Sequence, residues 1–445
     1  MGGRTRRLSL ALLVAGICNV AAFAGDPAGD AWSLKTVLDM AVAQRQEITA
    51  AHARAEAAEK RPDIVAALED PMIAPSIDHY PFDQMGSRDP MTAEDSMGES
   101  DTAAPSAAED TSSRYDWSVA LEQKFPLSKI RSHRRRAAEA EAERLAADVD
   151  RTSLDVALEA STAFFMLQEQ RRMSVILSEQ ILLATELASA ASARYRSGSG
   201  NQAEVLRAEV EIARLEATRA ALKPAIRSAE AMLNASMGRA PAAPVPALKS
   251  PVLDGPLPTP EHAAERATQQ RPELATATAE IERAAAEVDV MRSMYAPMGM
   301  VRAGYAETMA EGDGFMVMVG VSLPIWRGQL RSGVEEARAM HVMAVADMDA
   351  MRLMIQGSAM AARDALEAEQ TRYLALRDDV VPRAKRLMGP AIGLYASGQG
   401  SMAGVIEAAQ ALWSAQQDLV MAESALGVAW ARLHRMAGTS LESPL

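Results

Sequence analysis

The sequence YRSGSG at residues 195–200 recurs as YASGQG at residues 395–400, and this pair of segments decides the fold. The same shift of 200 residues pairs Leu233 with Leu433 and Gly238 with Gly438, and no gap is needed between them. A constant offset over such a length indicates an internal duplication rather than a chance similarity of alanine-rich sequence.

Two further matches extend the duplication upstream. QRQEI at 44–48 corresponds to QRPEL at 270–274, and FPL at 125–127 corresponds to LPI at 323–325. The chain therefore divides into a first repeat (25–238), a linker (239–258), a second repeat (259–438) and a short tail (439–445). The first repeat is longer because it has a long acidic outer loop at 79–115, where the second has only EGDG, a hairpin-turn signal.

Each repeat is predicted to contain a helix, two strands, a long helix, a tight turn and a final helix. Apolar and alanine residues recur at helical spacing over 32–67 and 259–296, which predicts one helix in each segment. The long helix of the first repeat should span about 128–195, a rod of roughly 100 Å at 1.5 Å per residue. Pro224 should kink or break the helix after the first turn, because proline cannot donate a backbone hydrogen bond.

The predicted strands alternate between large apolar residues and small or polar residues, including the strand hairpin at 299–325. Such strands pack on a core or line the wall of a barrel, and no other sheet is available to close a core. Four strands cannot close a barrel, but three chains would supply twelve. The predicted lipid-facing residues are Trp117, Val119, Leu121, Val301, Tyr305, Phe315, Val317, Val319 and Val321.

The last helix has a strict seven-residue repeat, which predicts a left-handed coiled coil. One column is Val405, Leu412, Leu419, Leu426 and Leu433, and the other is Ala408, Ala415, Ala422, Ala429 and Met436. Aromatic residues make up only 4% of the chain, which suits closely packed long helices better than a layered α/β domain.

The N-terminal segment 1–24 is predicted to be a secretory signal peptide. Basic residues at positions 4, 6 and 7 precede an apolar run at 8–20 and a small-x-small cleavage site ending at Ala24. Cys18 is the only cysteine, and a lipid anchor at Cys18 is the alternative, although Ile17 is larger than the residue that usually precedes a lipidated cysteine. Cleavage after Ala24 would leave no cysteine, and hence no disulfide or thiol chemistry.

The charge and the scattered polar residues exclude several classes of function. The formal net charge of −13 argues against nucleic-acid binding, which needs a basic surface. The six histidines form no spaced pair of the kind that binds zinc. No catalytic constellation and no cofactor motif is found, so the sequence predicts a protein that is not an enzyme.

In its strands, turns and rods the chain resembles the TolC family of outer-membrane efflux proteins. The similarity covers nearly the whole chain after the signal and rests on DP at 70–71, QKFP at 123–126, LPIW at 323–326, VVP at 380–382 and both Tyr-x-Ser-Gly turns. The resemblance implies a homotrimer with a twelve-stranded outer-membrane β-barrel, continued by a long periplasmic α-helical coiled-coil barrel. It also implies a periplasmic adaptor protein and an inner-membrane pump, for which an RND-type pump is expected.

The function expected from this resemblance is the exit duct of a tripartite efflux system that exports small molecules or metal ions. A type I protein-secretion duct and a periplasmic coiled-coil adaptor or scaffold are the alternatives. An adaptor needs β-rich modules around a single coiled coil, and the sequence has no such block.

The two glycine turns, at 195–201 and 395–401, are the predicted periplasmic tips. In the family this end contacts the adaptor, which implies contacts at Arg194, Tyr195, Ser197, Gly198, Gly200, Tyr395, Ser397, Gly398 and Gly400. The other interpretation is that these residues only form tight turns. Glu204 is the acidic residue nearest the turns and is the candidate gate residue.

Methionine is the one unusual residue type, with 27 in the chain and 13 of them between Met291 and Met360. Thioether sulfur suits the soft ions Cu(I) and Ag(I), so export of copper or silver is one hypothesis. The alternative is that methionine fills gaps between helices. Met85, Met91 and Met97 in the acidic segment are the candidate soft-metal contacts.

Overall fold

A computed structural model describes residues 31–78, 116–251, 253, 257–308 and 312–439 of the chain. The predicted signal peptide, Cys18 and the acidic segment lie outside these ranges. The first repeat contains α1 (Leu34–Gln44), α2 (Gln46–Ala66), β1 (Met72–Asp78), β2 (Asp116–Pro126), α3 (Ile130–Arg196) and α4 (Gln202–Ser236). The second contains α5 (Pro260–Gln270), α6 (Pro272–Ser293), β3 (Met298–Thr308), β4 (Gly312–Ser322), α7 (Arg327–Ala375), α8 (Val381–Ala396) and α9 (Met402–Ala437).

The fold is a duplicated unit of strand pairs and long helices, as the sequence predicted. Helix α3 has 67 residues and is therefore roughly 100 Å long. One window of α3 has the length and apolar composition of a membrane span, which is weak evidence by itself. Because α3 packs along α2, α4, α6 and α9, it belongs to the helical part of the molecule.

The helices form a wall that continues from the strands. Next to the sheet, α2, α3, α6 and α7 lie side by side in that order. Farther from the sheet, α3 packs against α4 and α9, and α9 packs against α8. The residues of the seven-residue pattern of α9 pack in these helix contacts. Four of the five in its first column are buried: Val405, Leu412, Leu426 and Leu433.

The four strands form one antiparallel sheet in the order β1-β2-β3-β4. The register pairs Val119 with Tyr305 and Tyr305 with Phe315, so residues of matching parity share a face across the sheet. Strands β1 and β4 are the sheet edges, and among the described residues each has one side without a neighbouring strand.

Small residues allow the helices to approach closely. A Cβ atom built on Gly427 of α9 would overlap the ring of Phe165 on α3. The Phe165 ring is 3% exposed and lies edge-on to the ring of Phe164, 5.5 Å away between centroids. The aromatic pair of α3 can therefore pack against the backbone of α9 only because residue 427 is glycine.

The single helix expected at the start of each repeat is wrong, because both are split. Arg45 separates α1 from α2, and Arg271 separates α5 from α6, each with an extended ψ of about 125°. Arg271 precedes Pro272, which disfavours helical backbone in the residue before it. Gly238 packs on the first break and Gly438 on the second, each with a positive φ, of 72° and 74° respectively.

Pro224 was predicted to kink or break its helix, and the break is wrong. Helix α4 is continuous from Gln202 to Ser236, because one proline removes one backbone hydrogen bond while α4 remains packed along α3. The rod of the second repeat is interrupted instead, by a π-helical turn at Leu376–Val380 between α7 and α8. The corresponding part of α3 in the first repeat is uninterrupted α-helix.

Candidate functional site: the strand sheet and the helical tips

The sheet has one strongly apolar face. The strand register places the nine residues predicted to face lipid on this one face. Their side chains are unusually exposed for apolar groups: Phe315 is 93% exposed, and Val317 and Val319 are each 72% exposed. A face of this kind needs a nonpolar environment outside the chain.

The first strand contributes residues to this face that the sequence analysis did not select. Ile73 pairs with Leu121 and Ile77 pairs with Trp117, and the two isoleucines are 70% and 65% exposed. The signal was present as alternation in MIAPSID, but β1 is short and contains Pro75.

Aromatic residues mark the end of the apolar face near the strand hairpins. The Tyr305 ring lies 5.7 Å from that of Trp117 and 6.2 Å from that of Phe315. The Trp117 indole N–H donates to Glu307 at 2.8 Å, and the Tyr305 hydroxyl donates to Asp313 at 3.0 Å. Trp326, 75% exposed, lies at the helical end. Aromatic rings with polar tips are typical of the borders of a membrane-spanning band.

The opposite face of the sheet is lined by small, polar and methionine residues. Ser118 and Ala120 of β2 are buried on this side, and the Ser76 and Ser118 hydroxyls are 2.7 Å apart. Gly304 lies against the backbone of Ala120, so no side chain would fit there. The two faces therefore differ as the outer and inner surfaces of a barrel wall do.

The helical wall next to the sheet carries a groove. This groove of about 1130 Å³ is lined by residues of α2, α3, α6 and α7 together. Four adjacent helices can line one groove only on the inner side of a curved wall. Its charged residues include both positive and negative side chains: Arg54, Arg61, Arg134, Arg144, Glu141, Arg283, Glu280, Glu287 and Asp347.

The two glycine turns have nearly identical backbones at the far end of the helices. Gly198 and Gly398 both have a φ of 77°, the left-handed conformation that ends many helices. The N–H of Gly200 donates to the carbonyl of Arg194 at 3.1 Å, and that of Gly400 to the carbonyl of Leu394 at 2.8 Å. Ser197 and Ser397 are exposed at these turns.

The side chains of the two turns differ although their backbones match. Tyr195 is 48% exposed, whereas Tyr395 is 4% exposed. The guanidinium of Arg194 lies 4.4 Å from the centre of the Tyr395 ring and also donates to the Tyr395 carbonyl. The Tyr395 hydroxyl donates to the Glu204 carboxylate at 3.2 Å. Burial, together with the negative charge of Glu204, raises the pKa of Tyr395 above its ordinary value.

The structure thus brings Arg194, Tyr395 and Glu204 together into one cluster, which we call the tip cluster. Glu204 is half-buried and belongs to the first turn of α4, where the Asn201 side chain caps its N–H at 3.1 Å. Sequence proximity alone did not indicate that Glu204 of the first repeat would contact the tyrosine of the second. The first turns of α4 and α9 line one groove, so the two turns lie side by side, and Tyr395 at the end of α8 reaches Glu204 at the start of α4.

The candidate soft-metal residues Met85, Met91 and Met97 lie outside the described residues. Within the described ranges, no cluster of three or more His, Cys, Asp or Glu residues could hold a metal ion. Most of the methionines between 291 and 360 lie on the inner face of the sheet or on helix α7, while Met291 lies in α6, Met294 follows that helix, and Met309 lies outside the described residues.

Solved structures of outer-membrane channels share this fold. The channel OprN matches with a TM-score of 0.74 at 17% identity, over 92% of this chain and 91% of that chain. The outer membrane protein VceC from Vibrio cholerae matches with a TM-score of 0.72 at 17% identity, over 92% and 97%. The CmeC outer membrane channel of Campylobacter jejuni matches with a TM-score of 0.72 at 16% identity, over 92% and 87%.

The sequence gives the same assignment independently of the structure. A search of curated protein sequences gives no match. The family described as outer membrane efflux protein matches residues 37–239 and again residues 263–439, one match for each repeat. The expected location in the outer membrane of a Gram-negative bacterium is confirmed by the family and by its structural neighbours. With two family matches that span most of its length, the chain belongs to the outer membrane efflux protein family.

Proposed function

We propose that three copies of this chain form the exit duct of a tripartite efflux system. The observation that carries the proposal is the sheet, which has an exposed apolar face and, in the part of the chain that the structure describes, two unpaired edges, β1 and β4. Backbone groups at a sheet edge cannot remain unpaired in lipid, so the sheet must close with others into a barrel. Pairing β4 of one copy with β1 of the next gives twelve strands from three copies.

The helical end of the duct meets its partners at the glycine turns. The predicted contacts with a periplasmic adaptor are the residues of the two turns, of which Ser197, Tyr195 and Ser397 are exposed. Below the adaptor we propose an inner-membrane pump, of the RND type. No nucleic acid is expected as a partner, because the chain carries a net charge of −13.

The tip cluster is the proposed gate. Arg194 and Glu204 of the first repeat hold Tyr395 of the second through a ring contact and hydrogen bonds. One glycine turn joins α3 to α4, and the other joins α8 to α9. Opening the tip would separate these two helical hairpins and would therefore break the contacts between them. Each contact is modest, so a partner that binds the turns could supply the free energy to break them.

The barrel assignment is tested by placing the same charge on either side of one strand. Val319→Arg puts a guanidinium on the apolar face, whereas Met318→Arg puts it on the opposite face one residue away. Arginine near the membrane midplane costs about 2–4 kcal/mol on the lipid side. We expect Val319→Arg to reduce the heat-resistant trimer in outer-membrane fractions, and Met318→Arg to leave it. Equal assembly of both variants would refute the barrel assignment.

The adaptor contact is tested by cysteine cross-linking in cells. Cleavage after Ala24 would leave a chain with no cysteine, so Ser197→Cys and Ser397→Cys would each introduce a single thiol. Ser132→Cys is the matched control, because Ser132 lies at the sheet end of α3 whereas Ser197 directly follows the opposite end of the same helix. We expect tip cysteines to cross-link to a periplasmic adaptor and Ser132→Cys not to. A tip cross-link only to an unrelated protein would refute the adaptor proposal.

A further inference from the structure

Five methionines lie on the inner face of the sheet, and this placement is unusual. The strand register puts Met72, Met298, Met300, Met316 and Met318 on the same side as Ser118 and Ala120. The inner walls of membrane barrels are normally polar or small, because they face water. Three of these side chains, Met72, Met298 and Met318, are 51%, 39% and 45% exposed.

In the described strands, methionine and the other large apolar residue types lie on opposite faces of the sheet. The outer face uses valine, isoleucine, leucine, phenylalanine and tryptophan and has no methionine. The inner face has five methionines and none of those other types. If the inner wall needed only apolar contact, valine or leucine would serve as well. The selective use of methionine points to the thioether sulfur.

The methionines form a continuous series along the duct. Four successive cross-strand rows contain Met298, then Met300, then Met318 with Met72, and then Met316. Rows on one face are two residues apart, or roughly 7 Å along a strand. Below the sheet, Met343 and Met351 line the groove on the concave side of the helical wall.

The placement of Met300 also leaves the duct open. A Cβ atom built on Gly320 would lie 2.9 Å from the terminal methyl carbon of Met300, so this side chain lies flat across the neighbouring strand. Met316 pairs with Gly304 on the adjacent strand, which has no side chain. The Met300 thioether is therefore presented along the wall instead of projecting across the duct.

We propose that this methionine series is a contact surface for soft monovalent cations, Ag(I) or Cu(I), passing through the duct. Thioether ligands prefer soft cations, and neutral sulfur exchanges such ions without needing to lose a proton. Rows of sulfur roughly 7 Å apart let an ion pass from one site to the next. This inference rests on the proposed duct, because only a closed barrel makes this face an inner wall.

Residue-resolved labelling of the purified wild-type trimer tests the proposal without altering the protein. The trimer in nitrate buffer is treated with a methionine-selective oxaziridine, with and without silver nitrate, and labelling is read by mass spectrometry. We expect silver to slow labelling of Met298, Met300 and Met318 at least about fivefold. Labelling of Met166, Met232 and Met421, which are exposed on helices, should change much less. Equal protection of both sets, or of neither, overturns the proposal.

A second measurement separates sulfur chemistry from apolar contact. The variant M300L/M316L/M318L keeps the side chains similar in size, and M166L/M232L/M421L is its control. We expect the first variant to retain at most about half of the silver per trimer after desalting, and the control to retain nearly all of it. Protection of the inner methionines by an amphiphilic dye but not by silver would overturn the proposal in favour of organic cargo.

Failure of this inference and failure of the duct proposal give different results. If the preparation is a heat-resistant trimer from the outer membrane but silver protects no inner methionine, the duct proposal stands and the cation proposal fails. If no such trimer is found, the duct proposal fails first.

Discussion

The two repeats use the same Gln-Arg-x-Glu motif to build junctions of unequal strength. In the first, Arg45 contacts Glu47 and Glu159, both at 2.8 Å, and these carboxylates are 57% and 50% exposed. In the second, Arg271 contacts Glu273 at 2.5 Å, and Arg435 contacts the same carboxylate at 2.7 Å. The side chains of Glu273 and Arg435 are only 15% and 7% exposed.

The two junctions differ because one position, 235 in the first repeat and 435 in the second, carries different residues. Arg435 occupies the position that Ala235 has in the first repeat, and its guanidinium also contacts Asp155 of α3 at 2.6 Å. The first junction therefore connects elements within one repeat, whereas the second connects the final helix of the chain to the long helix of the first repeat. The arginine at position 435, where the first repeat has alanine, therefore adds a contact that holds the two repeats together.

The largest expected effect is at Arg435. Arg435→Ala removes a buried cation and leaves Glu273 and Asp155 with fewer partners, so we expect a loss of about 3–5 kcal/mol in the free energy of unfolding. Arg45→Ala, whose partners are half exposed, should cost about 1 kcal/mol. Thermal and urea unfolding of the purified protein measure both. Equal losses would show that the two junctions do not differ in strength.

The same junction should control stability in acid. Burial alone would raise the pKa of Glu273, but hydrogen bonds from Arg271 and Arg435 outweigh it and lower this pKa to about 2. Because the folded-state pKa is below the unfolded value of 4.5, the stabilisation is complete above about pH 5 and is lost as pH falls toward 2. The shift corresponds to about 3 kcal/mol.

Glutamine substitutions compare the junctions in acid. Glu273→Gln should flatten the decrease in stability between pH 5 and pH 2, and Glu47→Gln should alter it little because that carboxylate is mostly exposed. Urea unfolding across this pH range is the measurement. An unchanged acid profile in Glu273→Gln would contradict the assignment of the shift to this residue.

A smaller effect is expected where α9 approaches α3. Gly427→Ala would place a methyl group within the ring of Phe165 and should cost about 1–3 kcal/mol. The corresponding residue of the first repeat is the exposed Arg227, and Arg227→Ala should cost no more than about 0.5 kcal/mol. Adding Phe165→Leu to Gly427→Ala should recover part of the loss in thermal unfolding. If the double variant loses as much stability as Gly427→Ala alone, the clash with the Phe165 ring is not the cause of the loss.

The smallest expected effect on stability is at the tips. Tyr395→Phe removes the hydrogen bond to Glu204 and should cost about 1 kcal/mol, whereas Tyr195→Phe should be close to neutral. If the tip cluster is the gate, Tyr395→Phe should also raise the conductance of the reconstituted channel, and Tyr195→Phe should not. Equal conductance in both variants would contradict the proposed gate.

Much of the architecture could be predicted from the sequence because it depends on periodicity. The offset of 200 residues, the alternation in the strands and the seven-residue pattern of the last helix are local patterns, and the duplicated fold that they predict is confirmed. The break at Arg271 had a local signal, the following proline, which the prediction of a single helix overlooked. The break at Arg45 has no such signal, because Gln46 follows it.

The sequence by itself determined which side of each strand is apolar, where the helices turn, and that the chain is built twice. Only the tertiary structure decided that Glu204 meets Tyr395, that Arg435 joins the two repeats, and that methionines of three different strands share one face. The physical reason is that backbone periodicity is set by neighbouring residues, whereas these contacts depend on how distant elements are aligned. That alignment follows from close packing over the whole length of the helices and strands.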